Sequence, residues 1–86
     1  MNQKPSLFFY RRDCSLCLAA AEKVGAFYAE IGAPLIYRMI TPEYYSIIPG
    51  LPALVIRKEV FNTDKEMILV GSDMEQHLRA IQKTKL

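Results

Sequence analysis

The chain has 86 residues, 51% of them apolar and 23% charged, with a formal net charge of +2. That is room for one globular domain spanning 1–86, with a core of modest size and no disordered composition. The small charge argues against nucleic acid or a membrane surface as partner, and no apolar run approaches the roughly 20 residues of a spanning helix. The short apolar run after Pro5 is too brief for the core of a signal peptide, so a cytoplasmic protein is expected. In that reducing compartment the two cysteines, Cys14 and Cys17, point to redox or metal chemistry rather than to a permanent staple.

In chain order, Ser6 to Tyr10 (SLFFY) reads as a buried strand. From Cys14 the period changes: Cys17, Ala21, Val24, Phe27 or Tyr28, and Ile31 recur every three or four residues, which predicts an amphipathic helix ended by Gly32 and Pro34. Gly25 inside it weakens the helix or marks close packing. Leu35 to Ile40 is a second strand. Thr41-Pro42-Glu43 then opens a short helix of about two turns, stopped by Pro49 and Gly50. Pro52 introduces a strand at Ala53 to Ile56 that extends toward Phe61. A turn at Asn62 to Lys65 returns it as Met67 to Val70. Ser72-Asp73-Met74-Glu75 is a capping box for a last helix with the stripe Met74, Leu78 and Ile81, and with Arg79, Lys83 and Lys85 toward its negative end. The order β-α-β-(short α)-β-β-α predicts an α/β fold: one four-stranded mixed sheet with helices on its faces.

The cysteines fall where the first strand hands over to the long helix. Cys14 lies at the helix start, where unpaired N–H groups and the positive dipole end favour thiolate over thiol. Arg11 and Arg12 add positive charge, and Asp13 offsets part of it or caps the helix. Cys17 is one turn deeper, on the buried stripe. An exposed attacking sulfur and a shielded resolving one are what dithiol exchange requires. A C-x-x-C at a strand-to-helix junction in a crossover unit points to a thioredoxin-like motif.

On "YRRDCSLC", "GLPALVI" and "VGSDM" the chain resembles the glutaredoxin-like side of the thioredoxin fold superfamily, with the element order agreeing over nearly the whole length. The resemblance implies a thioredoxin-like fold and a dithiol–disulfide oxidoreductase with Cys14 and Cys17 as its catalytic pair. It places Arg11 where the family usually has a lysine, and implies a cis-proline at Leu51-Pro52 that faces the dithiol and positions substrate. Gly71-Ser72-Asp73 matches part of the turn that helps such proteins hold glutathione. Val70 and Met74 stand where that turn has a glycine and an acid. The implied partners are protein or small-molecule disulfides, with no bound cofactor and with glutathione or a thioredoxin reductase as the source of electrons. The chain departs from the family at Ser15-Leu16, which matches neither familiar intervening pair, and in having no tryptophan.

Three other readings remain at this point. The dithiol belongs to a binding or redox-sensing module that does not turn over, or it carries a soft metal such as copper(I), or both cysteines are buried packing residues. A closed zinc site is disfavoured, because His77 is the only histidine and sits on a helix flank, so no metal is assigned.

Overall fold

Ser6–Tyr10 is the strand around which the chain is organised (β1), and the computed structural model describes residues 4–84. β1 pairs in parallel with β2 (Leu35–Met39) and antiparallel with β3 (Ala53–Ile56), which pairs antiparallel with β4 (Met67–Val70). The sheet order is β2-β1-β3-β4. The parallel pair needs a crossover, supplied by α1 (Ser15–Ile31). α2 (Lys58–Phe61) and α3 (Met74–Thr84) complete the order. The expected four-stranded mixed sheet is present.

Alternation along the strands sends Phe8, Leu54 and Ile56 to one face of the sheet. There they meet Ala20, Val24, Phe27 and Tyr28 of α1, Met74 and Leu78 of α3, and Phe61 of α2. Phe9 and Ala53 point to the other face, where they pack with Ile48 and, beside it, Ile40, Tyr44 and Leu51. Of the helices expected on the faces of the sheet, α1, α2 and α3 lie on the first, and the second carries the short helical segment after Thr41, whose Tyr44 packs on Phe9. The helix expected to run about two turns is 3-10 over Pro42–Tyr44. The Thr41 hydroxyl donates to Glu43 Oε1 at 3.0 Å instead of capping the backbone.

Two further expectations change. The third strand stops at Ile56, and Lys58–Phe61 coils into α2, which buries Phe61 in the core and ends on Asn62 at φ 55°. β3 and β4 are thus joined by a helical turn rather than a plain hairpin. The last helix starts at Met74, not at Ser72. The Asp73 carbonyl accepts from the amides of Gln76 (3.1 Å) and His77 (3.4 Å), and the Ser72–Glu75 capping box does not form. Glu75 is drawn away by Arg79, whose Nε donates to it at 2.7 Å.

Gly32 ends α1 at φ 69°, and its amide and that of Ala33 bond back to Ala29 and Tyr28. Gly25 marks close packing, because a side chain there would collide with the Tyr37 hydroxyl on β2. The buried hydroxyls of Ser6 and Tyr28 are satisfied: Ser6 Oγ accepts from the Tyr28 hydroxyl (2.8 Å) and from the Arg57 amide (3.2 Å). Burial raises the Tyr28 pKa above its ordinary 10.0, and the hydrogen bond to Ser6 opposes that rise only in part.

Arg79 links α3 to α1. It donates to both carboxylate oxygens of Glu30, each at 3.2 Å, and its guanidinium lies 5.3 Å from the centre of the Phe27 ring. Those hydrogen bonds, with the guanidinium charge, hold the Glu30 carboxyl below its ordinary 4.5. A lowered folded-state pKa means that the contribution to stability is present above about pH 4.5 and is lost as pH falls through the folded value. Glu30→Gln is therefore expected to flatten the acid limb of a Tm-against-pH curve. Parallel curves for the variant and wild type would show that the Arg79 link carries no linkage. Arg79 is not joined by Lys83 in any ion pair among the described residues, and Lys85 lies outside them.

Candidate functional site

Strand register brings the candidate residues to one end of the sheet. Phe9 pairs with Ala53, and Ala53 with Val70. The Gly71 amide donates to the Pro52 carbonyl at 2.9 Å, and the Ile40 amide to the Tyr10 carbonyl at 2.9 Å. The segments following Tyr10, preceding Ala53 and following Val70 therefore leave the sheet at the same end. They carry Arg11, Arg12, Cys14 and Cys17, then Leu51 and Pro52, then Gly71, Ser72 and Asp73.

Cys14 is the N-cap of α1, in extended conformation, with its amide bonded to the Arg11 carbonyl at 3.2 Å across a tight turn. Its Sγ accepts from the Cys17 amide at 3.1 Å, one of the donors that a helix start leaves without an intrahelical partner. No acidic residue stands in the first turn, so the positive end of the helix acts on this sulfur unopposed from within the helix. Cys14 and Cys17 are joined in a disulfide, with their Cα atoms 5.2 Å apart. Cys17 is buried and Cys14 is half-buried, which is the inequality the sequence pattern predicts.

The charges around the pair are unequal as well. Arg11 Nε lies 3.6 Å from Asp13 Oδ1 with both side chains exposed, so each partly neutralises the other. Arg12 is exposed and has no ion-pair partner among the described residues. The Leu51–Pro52 peptide is cis, as the family resemblance implies, and Pro52 is buried.

At the third segment, Gly71 adopts φ 114°, where a side chain would be strained and would press on Asp73 Oδ1. Ser72 is exposed and caps nothing. Asp73 takes the cap position, and its carboxylate lies 3.3 Å from His77 Nε2.

Sequence reasoning missed an apolar rim. Leu16, between the cysteines, is 59% exposed, and Leu18, one turn beyond Cys14, is 55% exposed. The available signal was their spacing: neither falls on the buried stripe through Cys17 and Val24, so both had to face away from the core. Tyr44 packs on Phe9 with ring centres 4.7 Å apart, whereas Tyr45 is exposed. Among the described residues no three His, Cys, Asp or Glu side chains gather into a metal-holding group, and no helix is long and apolar enough to cross a membrane. A scan against protein-family models, a search of curated proteins and a search of solved structures each find no match to this chain.

Proposed function

We propose that the protein is a small thiol–disulfide oxidoreductase of thioredoxin-like, glutaredoxin-type layout, working through Cys14 and Cys17. The observation that carries this reading is the position of their disulfide, with a half-exposed sulfur at the N-cap of α1 and a buried one a turn below. The sheet order with its parallel and antiparallel pairs fits the same layout.

In the reductive direction the Cys14 thiolate attacks one sulfur of a substrate disulfide. That S–S bond breaks, and the departing sulfur leaves as a thiolate that takes a proton from solvent. Cys17 then gives up its proton and attacks Cys14 Sγ, releasing the second substrate sulfur and closing the Cys14–Cys17 bond. The substrate disulfide gains two electrons and two protons, and the protein dithiol loses them. A thiol reductant, glutathione or a thioredoxin reductase, resets the pair. The cationic loop of Arg11 and Arg12 favours the thiolate, and the backbone at Leu51-Pro52 positions the substrate. Protein disulfides and small-molecule disulfides are the substrates in this reading.

The rate of alkylation of the reduced protein against pH tests it. Cys14 is expected to react with a midpoint well below the roughly 8.5 of a free thiol, because helix start and arginines both stabilise its anion. A midpoint at or above about 8.5 would favour a module whose dithiol is not turned over. Coupling turnover in parallel to glutathione with its reductase and to thioredoxin reductase identifies the electron donor.

A further inference from the structure

We propose that the dithiol selects peptide disulfides whose cysteine is flanked by an acidic and an apolar side chain, with Arg12 holding the acid and Leu16 and Leu18 the apolar group. This rests on the oxidoreductase reading of Cys14 and Cys17 and names the substrate that the same site prefers.

The Cys14 amide bonds to the Arg11 carbonyl, so residues 11–14 form a turn with Arg12 and Asp13 at its corner. Arg12 thus stands two residues before the attacking sulfur, and Leu16 two residues after it. The acids at this end of the sheet have local partners. Asp13 lies beside Arg11, Glu43 accepts from the Thr41 hydroxyl, Asp73 lies beside His77, and Glu75 is held by Arg79. α1 has no acid in its first turn. Arg12, exposed and without an ion-pair partner among the described residues, is therefore a charge left over next to the sulfur, and it adds to the positive end of α1. A carboxylate beside a substrate cysteine complements that charge, and an ammonium there is repelled. Leu16 and Leu18 add exposed apolar surface in the first turn of the helix that Cys14 caps. Burying that surface takes an apolar side chain on the substrate, which a peptide supplies and glutathione lacks.

Single-turnover exchange measures the preference without an electron donor. The reduced protein is mixed with symmetric disulfides of capped hexapeptides that carry Glu, Gln or Lys before the cysteine and Leu or Gly after it. One protein dithiol is oxidised to its disulfide as one peptide disulfide is reduced to two peptide thiols. Alkylation and mass analysis give the rate, which is divided by the rate of dithiothreitol with the same peptide. At about 50 mM salt the Glu-Leu peptide should react about five- to twentyfold faster than the Lys-Leu peptide, falling to within about threefold at about 0.5 M. Arg12→Gln should cut that ratio to about twofold or less, Arg12→Glu should invert it, and Arg12→Lys should keep it within about twofold of wild type. Lys58→Gln, the same loss of charge beyond the opposite end of β3, should leave it unchanged. Each ratio compares two substrates on one protein, so a changed ionisation of Cys14 cancels from it. Leu16→Ser combined with Leu18→Ser should remove a preference of about three- to tenfold for leucine over glycine and leave the charge ratio alone. A Glu-to-Lys ratio below about twofold in wild type, or one indifferent to Arg12, overturns the proposal while the dithiol reading stands. Glutathione disulfide reacting faster than the Glu-Leu peptide overturns it too. No exchange with any of these disulfides removes the oxidoreductase reading and this selectivity with it.

Discussion

Cys14→Ser is expected to reduce disulfide exchange to the uncatalysed background, while Cys17→Ser is expected to trap the reaction half-way. Serine at position 14 removes the half-exposed thiol, and Cys17 is too buried to take its place. In Cys17→Ser the nucleophile is intact, so the first attack proceeds and the mixed disulfide accumulates for want of an internal resolving thiol. Intact-mass analysis after exposure to a small disulfide reads the difference: one adduct on Cys17→Ser and none on Cys14→Ser. Equal turnover by wild type and both variants would refute the assigned roles. Adduct on both variants alike would refute the inequality of the two sulfurs.

Phe27→Ala should cost about 3–5 kcal/mol of stability, a large share of the roughly 4–13 kcal/mol expected for a domain of this length. The Phe27 ring is fully buried between α1, α2 and α3, with the Phe61 ring centre 6.2 Å away and the Arg79 guanidinium 5.3 Å above it. Alanine leaves a cavity where three elements meet and removes the platform that orients Arg79 toward Glu30. Phe27→Leu keeps most of the volume and should lose about 1–2 kcal/mol, mainly from imperfect packing and the absent cation–π contact. Urea unfolding with a shared m-value measures both. A loss under about 1 kcal/mol for the alanine variant would mean that the helices close over the gap and that this ring does not organise the core.

The sheet, the long helix and the paired cysteines were legible because each rests on a local pattern. SLFFY alternates across two buried faces, the stripe from Cys17 to Ile31 has a helical period, and C-x-x-C sits where one period gives way to the other. The errors fall where tertiary contacts outrank local propensity. Lys58–Phe61 has the branched and aromatic residues of a strand, yet coiling there is what brings Phe61 into the core. Ser72 and Glu75 have the spacing of a capping box, but Glu75 is claimed by Arg79, four residues on and already committed to α1. Thr41-Pro42-Glu43 signals a helix start without saying how regular the helix is: after the 3-10 residues Pro42–Tyr44 the chain makes one more turn, the Tyr44 carbonyl accepting from the Ile47 and Ile48 amides, and Ile48 turns in to cover Phe9 and Ala53. The convergence of Cys14, Pro52 and Gly71 depended on strand register, which no single motif encodes.

α1 runs from the disulfide at its N-cap and first turn to Gly32 at its C-cap, and so separates the molecule into two poles. Everything assigned to chemistry lies at one pole. At the other, the chain passes through Gly32, Ala33 and Pro34 before re-entering the sheet, with the exposed Gly32 and Pro34 remote from the sulfurs. That connection is the natural place to graft a peptide tag, a fluorophore or a second domain. Cargo attached there would ride on the protein without sensing its oxidation state, and a fusion partner would leave the dithiol facing outward into solution.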